Sequence, residues 1–215
     1  AFYYKNEILQ NPGANYHGAS ANIGVSRKVN NYLSFVMNGS YAWRPPSINE
    51  LYSNGLHHGA AAIEVGDENL KKERSWNAIA SGKYERKKFS LEAEAYYNFI
   101  NDFIFLSPTP TPVLTIRGAF PAFEYKQCNA ILSGINYQIK QELKSITFKS
   151  KGSFLHAWNR TVNDYIVLMP SNQISASVDY TFKDNKTFTK TKTEFNAKHV
   201  FKQNNVPANQ AAPDE

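Results

Sequence analysis

From Phe89 the chain reads FSLEAEAYYNFINDFIF, which sets Phe89, Leu91, Ala93, Ala95, Tyr97, Phe99 and Phe103 on one side and Ser90, Glu92, Glu94, Asn98 and Asp102 on the other. A period of two sustained this far predicts a β-strand well beyond the usual five or six residues. Residues 33–43 repeat the pattern, with Leu33, Phe35, Met37, Gly39, Tyr41 and Trp43 opposed to Ser34, Val36, Asn38, Ser40 and Ala42. Residues 174–182 do the same, with Ile174, Ala176, Val178, Tyr180 and Phe182 against Ser175, Ser177, Asp179 and Thr181. Weaker alternation marks 17–27, 76–84, 146–158 and 187–201, while over 123–139 both faces carry apolar residues and the pattern assigns no inside.

The connectors between these runs take turns. Short polar ones stand at 27–31 (RKVNN), 85–88 (ERKK), 140–144 (KQELK) and 183–186 (KDNK); long irregular ones span 6–15, 48–72, 106–122, 160–172 and the tail from 202. The pattern predicts an all-β fold, an antiparallel meander of about eight or nine strands with tight turns at one end and long loops at the other. That sorting, with strands long enough for the nine to eleven residues a crossing needs, is the pattern of a transmembrane β-barrel segment with short periplasmic turns and long extracellular loops. The alternative is a soluble β-sandwich, whose loops would recognise carbohydrate or protein and whose apolar rows would face a second sheet. Arg44-Pro45-Pro46 marks where one strand leaves its ladder, because proline cannot donate to it.

Composition narrows the choice only a little. With 215 residues, 14% aromatic residues and a mean hydropathy of -0.50, the chain is long enough for a sizeable fold and is not disordered in character. No window approaches the roughly 18 unbroken apolar residues of a membrane helix, so strands would have to carry it into a bilayer. The single cysteine, Cys128, leaves no internal disulfide framework. The net charge of +6 comes from 24 basic residues scattered among 18 acidic ones, which gives no stripe for nucleic acid. No nucleophile elbow, phosphate loop or zinc-protease helix motif is present, and no enzymatic activity is expected.

Three stretches resemble TonB-dependent outer-membrane receptors. Arg44-Pro45-Pro46-Ser47, Glu50-Leu51-Tyr52 and Gly66-Asp67-Glu68-Asn69-Leu70-Lys71-Lys72-Glu73 follow the family order Arg-Ala-Pro-Ser, Glu-Leu-Tyr, Gly-Asn-Pro-x-Leu-x-x-Glu, with Pro45 and Asp67-Glu68 as departures. AYYNFINDFIF and FEYKQCNAILSGINYQI resemble the next strands, the latter through its Tyr-x-Gln-x-x-Ala-x-x-x-Gly spacing. The subgroup with Gly-x-His-His-Gly is closest, here Gly55-Leu56-His57-His58-Gly59. The resemblance implies a Gram-negative outer-membrane location and energy-coupled uptake of a metal, an iron complex or a similar scarce nutrient. It implies outer-membrane lipid, an N-terminal plug domain and the TonB energy-coupling protein as partners, and no cofactor beyond a metal or metal complex carried as cargo. Such receptors close about 22 strands around the plug. Residues 1–215 are therefore expected to be a partial barrel domain without a plug, an internal piece of a longer receptor.

Candidate site residues follow. His57 and His58, with Glu64 and Asp67 nearby in sequence, are candidate ligand contacts, since imidazole and carboxylate suit Zn, Fe or Cu. Adjacent histidines on a strand point to opposite faces, so only a loop could aim both at one metal; solvent-exposed loop histidines are the plainer reading. Arg44, Glu92 and Glu94 are expected on the lumen side, with Arg44 paired to Glu92 or Glu94. His17, His156 and His199 fall on the outward row near strand ends, as interfacial packing.

Overall fold

The computed structural model describes residues 2–4, 7–9, 15–184 and 186–208. Eight long strands follow one another in strict chain order, each antiparallel to the next: β1 Ala21–Lys28, β2 Leu33–Arg44, β3 Glu73–Arg86, β4 Phe89–Pro108, β5 Ala122–Leu143, β6 Ile146–Asn159, β7 Gln173–Thr181 and β8 Lys192–Val200. At 20 and 22 residues, β4 and β5 are about twice as long as a crossing requires, so their upper halves rise past the other strands. There Ala62–Val65 docks on β5 and carries Asn54–His57 on its other edge; Asp164–Tyr165 pairs with the end of β6, while Val113–Thr115 and Gly118–Phe120 pair only with each other.

The expected alternation of short and long connectors is present, with shifted boundaries. Lys140 to Leu143 stay in the ladder, and only Lys144 and Ser145 turn. The connector expected at 183–186 is longer: pairing stops at Thr181 and resumes at Lys192, closed by a bond from the Phe182 N–H to the Thr191 carbonyl at 3.0 Å. Within that connector Asn185 lies outside the described residues. β1 begins at Ala21, so His17 lies before the strand and not within it. In the connector expected at 6–15, Glu7–Leu9 pairs with Phe2–Tyr4, and residues 10–14 lie outside the described residues, as do 209–215 of the tail.

Register sorts the side chains. Paired residues share a face, so Ile23, Met37, Ala80, Ala95 and Ile135 share one face, and Gly24, Asn38, Ser81, Glu94 and Asn136 the other. Through β5 the undecided stretch is now assigned: Ile131, Ile135, Tyr137 and Ile139 join the apolar face, and Cys128, Ala130, Leu132, Gly134, Asn136 and Gln138 its opposite. The apolar face is left open, with no second sheet packed on it among the described residues. Ile23 is 80% exposed and Phe195 72%, whereas Asp179 on the polar face is 4% exposed. A soluble sandwich would show the reverse, so the apolar row is the one meant for a non-aqueous surrounding.

One strand departs from simple alternation. Ile100 pairs with Ala130 and Phe103 with Cys128, so Asn101 and Asp102 together oppose Asn129 in a β-bulge. The extra residue transfers Phe103 to the row of Glu94 and Ile100, correcting its expected place beside Phe99. Asp102 sits in the bulge at φ 57°, with its Oδ2 2.8 Å from Arg74 and its carbonyl accepting from Gln127 Nε2 at 2.8 Å. Phe103 and Phe105 thereby join a cluster of Ile100, Cys128, Ala130, Ala157 and Ile166 under the loop of residues 160–172.

Two outcomes test this arrangement. Ala93→Lys on the apolar row should destabilise the membrane-inserted protein by about 2–4 kcal/mol if it lies at mid-bilayer, and Glu94→Lys next to it far less, as read from unfolding in lipid vesicles. Among the described residues β1 and β8 each have a single neighbour, so the isolated 215-residue chain should associate edge to edge in detergent. Light scattering showing a monodisperse monomer would contradict that.

Candidate functional site

The segment between β2 and β3 is anchored at its first and last residues. Arg44 and Glu73 form the final rung of the ladder. Arg44 Nε lies 2.6 Å from Glu73 Oε2 and Nη2 2.9 Å from Oε1, while Nη1 and Nη2 each reach a Glu50 oxygen at 2.9 Å. One guanidinium thus bridges two carboxylates through its planar fork, which a lysine could not do. Glu73 is buried and also accepts the Ile104 N–H at 2.6 Å, filling a place on β4 where β3 has already ended. Arg44 therefore pairs with Glu50 and Glu73, and not with the expected Glu92 or Glu94.

Pro45 and Pro46 break the ladder, and Ser47 starts helix α1, Ile48–Tyr52, with a capping box in which Glu50 reaches back to the Ser47 N–H at 2.6 Å. Burial alone would push the Glu50 carboxyl up, but the bonds from Arg44 and Ser47 outweigh it and hold the group below its usual value. The helix drops Leu51 into a small core with Leu70 and Ile104, flanked by Tyr52 and Tyr125. Gly66 lies so near the α1 backbone that a Cβ there would sit 2.6 Å from the Leu51 carbonyl carbon. Only glycine permits this approach.

Between α1 and Gly66 the hairpin of Asn54–His57 and Ala62–Val65 pairs Gly55 with Glu64 and His57 with Ala62, which puts His57 and Glu64 on one face. His57 Nδ1 is 3.3 Å from Glu64 Oε1; the imidazole is 61% exposed and the carboxylate 13%. Ala62–Val65 also runs parallel to Ala122–Glu124, and this brings the Tyr125 hydroxyl to 3.1 Å from Glu64 Oε2. Burial, and then the Glu64 charge, pushes the Tyr125 phenol up to about 12, so it remains a donor at neutral pH. His58 stands in the exposed turn beyond the strand. Asp67 Oδ1 accepts from the Asn69 backbone and side chain at 2.9 and 3.0 Å, as a turn-forming aspartate does. Of the four candidate contacts, the fold joins His57 to Glu64 and leaves His58 and Asp67 apart; among the described residues no three His, Cys, Asp or Glu side chains converge.

The Tyr-x-Gln-x-x-Ala-x-x-x-Gly spacing on β5 acquires a reason at each position. Tyr125 holds Glu64, and Gln127 accepts the Lys71 N–H at 2.8 Å while donating to the Lys71 carbonyl at 2.7 Å. Ala130 is fully buried in the bulge cluster, and Gly134 leaves the space taken by the Tyr96 ring. Sequence reasoning missed Glu73 and Tyr125 as site residues, although placing Arg44 and Glu73 at facing strand ends was signal enough for the first. Glu92 and Glu94 lie on the polar face: Glu92 is 3.1 Å from Lys83, and Glu94 accepts from Asn136 at 3.4 Å. His156 stacks on Trp158, and His199 packs edge-on against Phe201, both on the apolar row as expected.

A family model described as "TonB dependent receptor-like, beta-barrel" matches residues 2–214. The curated "Heme/hemopexin utilization protein C" of Haemophilus influenzae is 25% identical over 189 residues, covering 80% of this chain and 26% of that protein. Among solved structures, the "Copper transporter OprC" superposes with a TM-score of 0.71 at 16% identity, covering 87% of this chain and 27% of the other. The FrpB iron transporter from Neisseria meningitidis gives 0.56 at 17% identity over 85% of this chain and 27% of its own. The chain spans about a quarter of the length of each.

Arg44→Ala should loosen residues 45–72 by about 2 kcal/mol or more, less than the 3–5 of a fully buried pair because Arg44 is 44% exposed. The Glu50 carboxyl is held below its ordinary value in the fold, so its contribution is complete above about 4.5 and fades as pH falls towards the folded value. Hydrogen-exchange protection over the loop, taken relative to the intrinsic rate at each pH, should therefore fall below about pH 4.5, and Glu50→Gln should remove most of that pH dependence.

Proposed function

Since the chain belongs to the TonB-dependent receptor β-barrel family, we propose that it forms part of the wall and outer rim of an outer-membrane transporter for a metal complex, and that an iron porphyrin is the class of cargo the rim receives. The strand ends with short turns then face the periplasm, and the long loops face outwards. An N-terminal plug and coupling to TonB would complete the machine, as the family relationship implies.

The observation that carries the cargo class is the His57–Glu64–Tyr125 chain. A bare metal ion needs three or four protein donors, whereas an iron already held by four porphyrin nitrogens needs one axial ligand, and histidine is a common one. With Nδ1 turned to a carboxylate that Tyr125 fixes from behind, His57 offers Nε2 to such an iron, and Glu64 raises its basicity. Exposed apolar side chains on neighbouring loops, including Ile48, Leu114, Ile116 and Leu168, suit a large apolar ring better than a hydrated ion. The name of the Haemophilus influenzae relative supports the same class. His58, in the turn, is a second donor within the same loop.

Hemin titration of the full-length receptor in detergent, followed by the Soret band, tests this. Glu64→Gln should weaken binding about 10–100-fold, in line with the loss of an outer-shell partner, and His57→Ala combined with His58→Ala by more. Outer-membrane insertion should be unaffected. Unchanged hemin affinity in the double variant would exclude this cargo reading while leaving the transporter wall in place.

A further inference from the structure

We propose that Glu64 sets the oxidation state of the porphyrin iron that His57 accepts, favouring ferric over ferrous iron. The inference rests on the iron-porphyrin reading of the rim and goes beyond it, because it concerns the charge of the cargo and not its class. The observation that carries it is an unbalanced carboxylate. At the loop end Glu50 and Glu73 share Arg44, Asp102 has Arg74 and Glu124 has Lys126. Glu64 has no such partner: its side chain is 13% exposed, and among the described residues neither a lysine nor an arginine forms an ion pair with it. Tyr125 gives Oε2 a hydrogen bond at 3.1 Å but no charge. The residue across the hairpin is Gly55, and nothing lies within 4 Å of where its Cβ would stand, so that side offers no cation either.

A carboxylate taken this far out of water is costly unless a positive charge meets it. The partner the fold does provide is His57, whose Nδ1 lies 3.3 Å from Oε1. A neutral imidazole that binds iron through Nε2 keeps its remaining proton on Nδ1, on the Glu64 side, and so cannot balance the carboxylate by itself. The iron can. Ferric iron within the porphyrin dianion retains one positive charge, whereas ferrous iron in the same ring retains none, so only the ferric form balances Glu64 through the imidazole. The carboxylate also draws on the Nδ1 proton and makes the ring a stronger donor, from which the electron-poor ferric iron gains more. Glu64 acts through His57 alone and is a positioning residue.

The test titrates the full-length receptor in neutral detergent, without oxygen, with iron protoporphyrin as hemin and again after reduction by dithionite. A third titration uses zinc protoporphyrin, whose core carries no net charge and does not change oxidation state. The wild type should hold the ferric form more tightly, by about tenfold or more. Glu64→Gln, which keeps the side chain's shape, should cut that preference about tenfold and raise the midpoint potential of the bound iron by about 59 mV, the one-electron equivalent. Its affinity for zinc protoporphyrin should fall far less. Tyr125→Phe, which leaves the carboxylate in place, should keep the ferric preference. An unchanged ferric-to-ferrous ratio in Glu64→Gln, with hemin still bound, would overturn the proposal and leave the cargo reading standing. So would an equal loss for zinc and ferric porphyrin, the mark of a merely structural role. Failure of the wild type to bind hemin at all would overturn both.

Discussion

Hydrocarbon offers no partner for a backbone N–H or carbonyl, and every other feature of this chain is arranged around that constraint. Eight strands in chain order satisfy one another, each by the next, through ladders that persist from the short turns to the long loops. The same constraint forces the two faces apart in character, because side chains must serve lipid on one side and a polar interior on the other. It also explains why irregular backbone gathers only at the loop end. There β4 and β5 continue upward, and Glu73 supplies to the Ile104 N–H the acceptor that a continued β3 would have offered.

Much of this could be read from residue types alone, since a two-residue period depends only on neighbours in sequence. The rows of β2 and β7, the strand end at Arg44 and the resumption at Glu73 were all visible as changes of pattern. What could not be read was anything decided by pairing. The face of residues 123–139 emerged only from register with β4, as apolar residues occupy both sides where a loop core meets the wall. Phe103 was misplaced because a bulge leaves no mark on period, and the turns at 144–145 and 182–191 shifted because polar strand ends look like turns. His57 and Glu64 could be nominated by chemistry, yet their meeting depends on the hairpin register, and Tyr125 enters only through the parallel pairing of Ala62–Val65 with β5.

The loop end is organised by charge before it is organised by packing. Arg44 fixes α1 through Glu50 and fixes the entry to β3 through Glu73, so the hairpin carrying His57 springs from a rigid base. Tyr125 and Gln127 then attach that base to β5 from the side. The hydrogen bonds are thus concentrated near the wall, while His58 and residues 113–119 remain exposed.

The bulge at Asn101–Asp102 makes β4 a strand with two reading frames. Below it, odd-numbered side chains answer to the membrane; above it, odd-numbered ones such as Phe103 and Phe105 answer to the loop core. Arg74 and Gln127 hold the joint, one on the Asp102 carboxylate and the other on its carbonyl. Deleting one residue at the joint would let simple alternation run through with Phe103 still opposite Cys128, so what the extra residue supplies is not the faces but the contacts of Asp102 with Arg74 and Gln127.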